Sequence, residues 1–248
     1  MLRYERKYLV PNYMLDALRS RFSGFVRPDI IASANGNGIP QYTVRSIYFD
    51  TTDLAFYHEK HAGLMFRKKL RVRGYNMNLN GEKKVVLEVK RKNGNRISKN
   101  RAAVYYQKLD KLISTGMIEK YVLDGFGHSK EDAYEEARKF FFHLKRKPLI
   151  PTTLVSYERE AYHGKLNPGT RITFDKNIRS KNYPGIQDLY SENNMRMLFK
   201  SHFILEIKYF EDEMPLWAKN IVHEFKLRTE ALSKYTIGFD VNKSFVHY

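Results

Sequence analysis

The segment LMFRKKLRVRGY, residues 64–75, decides the fold, because polar and apolar side chains alternate along it. A period of two is typical of a β-strand with one polar and one apolar face. The polar face carries Arg67, Lys69, Arg71 and Arg73. The opposite face carries Phe66, Leu70 and Val72, and Lys68 alone interrupts it. The segment therefore predicts a strand whose polar face consists of cations.

The same alternation occurs in other predicted strands. The sets of side chains that share a polar face are Arg3, Glu5 and Lys7; Glu88 and Lys90; Tyr157 and Arg159; Arg171, Thr173 and Asp175; and Glu206 and Lys208. A sheet with one solvated face also alternates, so that remains the alternative interpretation. Like charges on neighbouring strands destabilise a sheet, however, and a bound anion would neutralise them. The pattern therefore favours an anion-binding face.

The predicted strands come from both ends of the chain and number about eight. They indicate an α+β protein with one closed or nearly closed antiparallel sheet and with helices packed outside and inserted between strands. We predict a single domain over residues 1–248, with a helical insertion at about 104–147. Within the insertion, Ser129 and Asp132 have the spacing of a capping box. Residues 76–82 are predicted to join the strands of a hairpin.

Composition narrows the function classes. Of 248 residues, 44 are Lys or Arg and 27 are Asp or Glu, which gives a formal charge of +17. Such an excess favours a polyanionic partner, with a merely well-solvated basic surface as the alternative. There is no cysteine, which excludes disulfides and thiolate metal sites. The N-terminus lacks a signal-peptide segment and no apolar run suits a membrane helix, so we expect a cytoplasmic protein.

Arginine and lysine suit phosphate binding, because the guanidinium binds phosphate oxygens in pairs and the ammonium supplies a mobile charge. Carboxylates among them, at Glu5, Glu88 and Glu206, are typical ligands of Mg²⁺ or Mn²⁺ beside phosphates. Salt bridges to neighbouring cations are the alternative role for each. The sequence contains no phosphate-binding glycine loop, kinase HRD motif or HExxH zinc motif.

Several stretches together resemble a known family. They are YERKYLV, IYFDT, FYHEK, RKKLRVRGY, LEVKRK, SYEREAY, RITFD, LEIKY and SKY, which occur in family order over nearly the whole chain. The chain resembles the VTC domain, the polyphosphate polymerase branch of the CYTH or triphosphate-tunnel-metalloenzyme superfamily. The resemblance implies an eight-stranded antiparallel β tunnel, a closed barrel, that holds ATP, triphosphate or polyphosphate. It also implies transfer of the γ-phosphoryl group of ATP onto a growing polyphosphate chain, with Mn²⁺ or Mg²⁺.

The candidate site combines the strand faces with positions that match the family motifs. The predicted catalytic residues are Arg71, Arg73, Lys90, Arg159 and Arg171. The predicted phosphate-binding residues are Lys7, Arg67, Lys69, Lys99, Arg101, Tyr157, Lys208, Ser233 and Lys234. The predicted metal ligand is Glu206, with Glu5 and Glu88 as further candidates.

One departure from the superfamily favours the polymerase branch. Hydrolytic and cyclase relatives begin with E-x-E-x-K, whereas this chain has Arg3-Tyr4-Glu5-Arg6-Lys7, so a cation replaces the first glutamate. Two alternatives remain open, a tunnel-type triphosphatase or polyphosphate hydrolase, and a non-catalytic module that binds polyphosphate or nucleic acid. We expect no specific nucleic-acid partner, because no such module is recognisable. Some relatives act beside a membrane channel, which implies a location at the inner face of the membrane and a separate membrane protein as partner.

Overall fold

The computed structural model describes residues 4–33, 38–76, 83–94, 96–125, 129–210 and 213–243, and of residues 31, 33, 96 and 97 it describes the backbone alone. The strands are β1 (Tyr4–Pro11), β2 (Val26–Pro28), β3 (Gln41–Asp50), β4 (Phe66–Tyr75), β5 (Lys84–Asn93), β6 (Arg96–Tyr105), β7 (Val122–Leu123), β8 (Ile150–Gly164), β9 (Arg171–Asn182), β10 (Arg196–Met197) and β11 (His202–Tyr209). The helices are α1 (Leu15–Ser23), α2 (Ile30–Ser33), α3 (Ala55–His61), α4 (Tyr106–Thr115), α5 (Ile118–Tyr121), α6 (Lys130–Arg146), α7 (Leu216–Glu224) and α8 (Lys234–Val241). Short 3₁₀ helices cover Asn12–Met14 and Ile186–Tyr190.

The strands belong to one sheet in the order β1-β11-β9-β8-β3-β4-β5-β6-β7, with β10 beside β9 and β2 beside β8. The pairs β1–β11, β11–β9, β3–β4, β4–β5 and β5–β6 are antiparallel. The α+β class with a large antiparallel sheet is therefore confirmed. The predicted closed eight-stranded barrel is not shown, because over the described residues the strand order is open, ending at β1 and at the two-residue β7.

The chain divides into two compact units. The first unit comprises residues 1–43, 157–179 and 197–234, and the second comprises residues 44–156, 180–196 and 235–248. Strands β3, β8 and β9 each contribute residues to both units. The assignment of residues 1–248 to a single domain stays a prediction.

In the second unit, one face of the sheet packs against helices α4 and α6. Ile47 lies opposite Val72, which lies opposite Leu87, so the three side chains share this face. They are fully buried together with Leu109, Leu112, Ala137, Phe140 and Phe141 of the two helices. Burial of one such large side chain stabilises the fold by about 1.5–3 kcal/mol. The cations of these strands therefore lie on the opposite face of the sheet.

In the first unit, the apolar side chains of β1, β11 and β9 form a second core. Tyr8 lies opposite Leu205, which lies opposite Phe174. Helices α1 and α7 cover this face with Leu18, Phe22, Ala218 and Ile221. The apolar faces predicted by alternation therefore pack on helices in both units.

Of the predictions for single segments, one is confirmed and another lies largely outside the described residues. The predicted capping box is confirmed, since Ser129 Oγ accepts from the Asp132 amide at 3.1 Å. The sequence of helix α8 lacks a one-sided apolar pattern, because most of its side chains are buried in the structure. Residues 77–82 of the predicted hairpin loop lie outside the described residues. None of the described helices has the length and hydropathy that crossing a membrane requires.

Candidate functional site

The polar face of the first unit is built from adjacent rows on β1, β11 and β9. Pairing between the strands aligns two rows, Glu5–Lys208–Arg171 and Lys7–Glu206–Thr173. Residues in register share a face, so all six side chains project from the same side of the sheet. We call the first cluster the charged residues of this face and their ion-pair partners, namely Lys7, Arg159, Arg171, Lys208, Lys234, Glu5, Asp29, Asp175 and Glu206.

The middle of the first cluster is a network of buried ion pairs. Arg159 donates to both oxygens of Asp175, at 2.6 and 2.7 Å, and its Nη2 lies 3.5 Å from Glu206 Oε2. Lys208 Nζ lies 2.6 Å from Glu206 Oε1, and Lys234 Nζ lies 2.6 Å from Asp175 Oδ2. Each of the two carboxylates therefore contacts two cations, which holds the side chains in fixed orientations.

The network shifts the pKa values of its members. Burial alone would raise the pKa of Glu206, but Lys208, Lys7, Arg159 and Lys234 outweigh it and hold that pKa well below the usual range. Burial lowers the pKa of Lys208 to about 8, although Glu206 opposes the shift. Burial would likewise raise the pKa of Asp175, but Arg159 and Lys234 bring it to about 2. At neutral pH both carboxylates are ionised, and Lys208 begins to lose its proton just above it.

Several polar groups lie at the edges of the first cluster. Arg171 donates to Asp29 at 2.8 Å and to the Tyr42 hydroxyl at 3.1 Å, while its buried Nε has no acceptor in the described chain. The buried hydroxyl of Thr173 also lacks a partner among the described residues. The ring of Tyr157 lies 4.8 Å from Lys234 Nζ. Buried donors without acceptors are costly, and a bound polyanion would supply acceptors.

The second unit carries a separate set of cations on β4, β5 and β6. The rows in register are Arg67–Lys92, Lys69–Lys90–Lys99 and Arg71–Glu88–Arg101, followed by Arg73 on β4. We call these nine residues the second cluster. With eight cations and one carboxylate, its formal charge is +7.

Within the second cluster, Glu88 is a partner of arginine. Arg71 Nη2 donates to Glu88 Oε1 at 2.6 Å, and Arg73 Nε donates to the Ser46 hydroxyl at 3.1 Å. Burial would raise the pKa of Glu88, but Arg71, Arg73 and Lys99 outweigh it and bring that pKa to about 2. The carboxylate therefore stays ionised and offsets part of the surrounding charge.

Asp50 of the IYFDT motif and Tyr235 of the SKY motif, to which the sequence assigned no role, contact each other in the structure. The buried Asp50 carboxylate accepts from the amides of Phe56 and Tyr57 at the start of α3, each at 2.9 Å. It also accepts from the Tyr235 hydroxyl at 2.5 Å. The Tyr235 ring stacks on Tyr48 at 5.3 Å, and the Tyr48 hydroxyl accepts from Arg71 at 3.1 Å.

This chain of contacts positions Arg71 of the second cluster. The sequence did not indicate this role for Asp50, because an aspartate that ends a strand is also an ordinary turn residue. Asp175 was placed on the Arg171 face but was given no function, although it contacts two of the predicted site residues.

The carboxylates do not form a metal site by themselves. Over the described residues, no group of three or more His, Cys, Asp or Glu side chains is arranged to hold an ion. Glu206 contacts Lys208 and Arg159, Glu88 contacts Arg71, and Glu5 lies 3.1 Å from Lys7. The first cluster contains five cations and four carboxylates, so a bare divalent cation would meet a formal charge of +1. Glu206, Glu5 and Glu88 therefore form ion pairs in the structure, and their role as ligands of a metal that also binds phosphate stays a prediction.

The structure thus groups the predicted site residues into two sets. The first unit brings together Lys7, Tyr157, Arg159, Arg171, Glu206, Lys208 and Lys234, with Glu5 beside Lys7 and a buried Ser233 preceding Lys234 in the chain. The second unit brings together Arg67, Lys69, Arg71, Arg73, Glu88, Lys90, Lys99 and Arg101. Their functional roles stay predictions.

Comparison with known proteins identifies the family. The VTC domain family matches residues 2–242. A solved structure from Bacillus halodurans, assigned as a candidate adenylate cyclase, is similar with a TM-score of 0.50 and 14% identity over 93% of this chain and 94% of that chain. The PH1819 protein of Pyrococcus horikoshii is similar with a TM-score of 0.45 and 15% identity, over 96% of this chain and 100% of that chain.

No curated protein matches the chain. At 14% identity, the likeness to the Bacillus halodurans structure concerns the fold alone. The family match, by contrast, covers nearly all of the sequence. The chain belongs to the VTC domain family.

Proposed function

We propose that this protein is a polyphosphate polymerase, which transfers the γ-phosphoryl group of ATP to the end of an inorganic polyphosphate chain. The observation that carries the proposal is the second cluster, in which aligned rows concentrate a formal charge of +7 on one sheet face. Like charges in register destabilise the empty sheet, and a chain of phosphates would offset that cost. Membership of the VTC domain family supports the same substrate class.

The residues have distinct roles in this proposal. The terminal phosphate oxygen of the acceptor attacks the γ-phosphorus of ATP, the bond from that phosphorus to the β–γ bridging oxygen breaks, and ADP leaves. Both reacting groups are anions, so cations must offset their repulsion. Arg159 and Arg171 would hold phosphate oxygens in fixed geometry, and Arg71, Arg73 and Lys90 would stabilise charge on the transferring group.

Such a transfer needs no protein nucleophile, because the acceptor oxygen is already an anion. The chain's contribution is then positioning and charge, which supply most of the catalysis in phosphoryl transfer. Because these carboxylates form ion pairs, Mn²⁺ or Mg²⁺ would enter bound to ATP, as part of the substrate, with Glu206 as its predicted protein ligand. In that form the ion neutralises phosphate charge.

The test is incubation of the full chain with ATP and Mn²⁺, followed by a gel stained for polyphosphate and an assay for free phosphate. We expect a lengthening polyphosphate ladder and release of ADP. Lys90→Ala should slow chain growth, while Lys108→Ala, on the exposed side of α4, should not.

The other outcomes identify the alternatives. Free phosphate without a ladder would show a triphosphatase or polyphosphate hydrolase. Tripolyphosphate binding without turnover of ATP would show a non-catalytic polyphosphate-binding module. RNA or DNA binding with a steep salt dependence, in a protein that does not bind ATP, would overturn the enzyme proposal. A cytoplasmic location and a separate membrane protein as partner stay predictions.

A further inference from the structure

Three consecutive apolar side chains are exposed in the second unit, where the chain passes from α3 to β4. The exposed fractions of Leu64, Met65 and Phe66 are 48%, 59% and 62%. Single exposed apolar residues are common on protein surfaces, but an adjacent set points to a binding surface. We call these three residues the apolar tip.

Backbone contacts fix the position of the apolar tip. Gly63, with a φ of 68°, forms the turn before it. The Gly94 amide donates to the Met65 carbonyl oxygen at 3.2 Å, and Phe66 is in register with Asn93 of β5. A backbone hydrogen bond and strand pairing therefore hold the tip in place, and its side chains are exposed in the folded protein.

Cations lie beside the apolar tip. Lys68 follows Phe66 on the same face of β4 and is in register with Arg91 on β5. Burial lowers the pKa of His143 near the end of α6, and the charges of Lys68, Arg91 and Arg146 lower it further. These three cations therefore act electrostatically on the same side chain and add positive charge to this part of the surface. We call Lys68, Arg91 and Arg146 the tip cations.

An apolar protrusion next to several cations matches the chemistry of an anionic bilayer surface. Apolar side chains enter the boundary between headgroups and acyl chains, and lysine and arginine attract anionic lipids. All three neighbouring charges are positive, which matches the uniformly anionic surface of such a bilayer. The tip cations are also separate from the residues that the proposed function uses.

We propose that the second unit docks on an anionic lipid bilayer by inserting the apolar tip among the headgroups, with the tip cations over anionic lipid. Docking would hold the protein at a membrane through these surface side chains. The proposal stands independently of the polymerase function, since a protein that only binds polyphosphate could dock in the same way.

The test is co-sedimentation of the full chain with vesicles of phosphatidylcholine alone or mixed with phosphatidylserine. We expect binding to the mixed vesicles, weak binding to the neutral ones, and release by salt. The variant Leu64→Ser/Met65→Ser/Phe66→Ser should bind roughly tenfold more weakly, because it loses the inserted apolar area. Lys68→Gln/Arg146→Gln should lose about fivefold for each cation.

Matched variants control for general surface effects. Leu166→Ser removes an apolar side chain that is 83% exposed in the first unit, and Lys108→Gln/Lys200→Gln removes two exposed cations elsewhere. Both should bind like the unaltered protein. Phe66→Trp should show a blue shift of the added fluorescence with mixed vesicles, beside the constant signal of Trp217.

Each result decides the proposal. No binding to mixed vesicles, equal binding to neutral vesicles, or loss of binding in the control variants as large as in the tip variants would overturn it. An unshifted Phe66→Trp emission would overturn insertion of the tip. Binding to cell membranes that is abolished by protease treatment of those membranes, without binding to lipid vesicles, would identify a membrane protein as the partner instead.

Discussion

The two charged clusters differ in their ratio of cations to carboxylates. In the first cluster, five cations share four carboxylates, and the central residues Arg159, Asp175 and Glu206 are buried. The second cluster, defined by its strand faces alone, has Glu88 as one carboxylate beside eight cations, and Lys69, Lys90 and Lys99 are in register with one another. The first cluster is therefore nearly neutral and rigid, whereas the second is strongly positive and more accessible to solvent.

This difference suits the two clusters to different tasks in binding a polyanion. Side chains held by several partners can orient phosphate oxygens with little reorganisation, which phosphoryl transfer requires. A surplus of charge attracts the polyanion over a distance and makes its binding sensitive to salt. We therefore expect substitutions in the first cluster to affect stability and orientation, and substitutions in the second to affect attraction.

The largest effect is expected at the centre of the first cluster. Arg159→Ala would leave Asp175 buried with one partner fewer, which should lower the free energy of unfolding by about 3–5 kcal/mol. Lys99→Ala in the second cluster should change it by less than about 0.5 kcal/mol, because that side chain is exposed. Urea denaturation of both variants measures the contrast. Equal stability of the two would show that the clusters do not differ in rigidity.

The next effect concerns pH and Lys208. Burial lowers its pKa from the ordinary 10.5 to about 8. Between these values the unfolded chain binds more protons, so this group's contribution to stability rises with pH. Tripolyphosphate favours the protonated amine, so its affinity should fall by up to about tenfold per pH unit above 8.

Calorimetric titration from pH 7.5 to 9.5 tests this dependence. Lys208→Arg should abolish the fall, because arginine keeps its proton in that range. If the affinity of Lys208→Arg for tripolyphosphate falls by the same amount, a group other than Lys208 causes the pH dependence.

A smaller effect is expected for Glu206→Gln. The substitution keeps the shape of the side chain but removes one negative charge from the first cluster, so tripolyphosphate should bind severalfold more tightly in the presence of a chelator. The binding constant from calorimetry is the measurement. If Glu206→Gln binds tripolyphosphate more weakly than the unaltered protein, and does so only when Mn²⁺ is present, Glu206 takes part in holding the ion that accompanies the phosphates.

The smallest effect on stability is expected for Lys90→Ala. Removal of one charge from the Lys69–Lys90–Lys99 row relieves repulsion and should raise the free energy of unfolding by a few tenths of a kcal/mol. The same variant should bind tripolyphosphate more weakly at low salt and show a shallower dependence on salt concentration. An unchanged salt dependence would show that the Lys69–Lys90–Lys99 row does not take part in binding tripolyphosphate.

Prediction from sequence succeeded where a local pattern determines the outcome. Strict alternation in residues 64–75 correctly placed Arg71 and Arg73 on one face and Leu70 and Val72 on the other. It could not show that Glu206 would contact two cations, because alternation gives the face of a residue and not its neighbours. The proposed metal ligand is thus, in the structure, a member of an ion-pair network.

Sequence by itself determined the family, the α+β class and the sign of charge on each strand face, because these follow from residue types and their period of two. Tertiary structure alone decided which charges meet. Arg159 reaches Asp175 on β9 and Glu206 on β11, residues 16 and 47 positions away in the chain. Such pairs depend on strand register, and a slip of one residue would turn every side chain of a strand to the other face. The balance of charge in each cluster is therefore a property of the folded sheet.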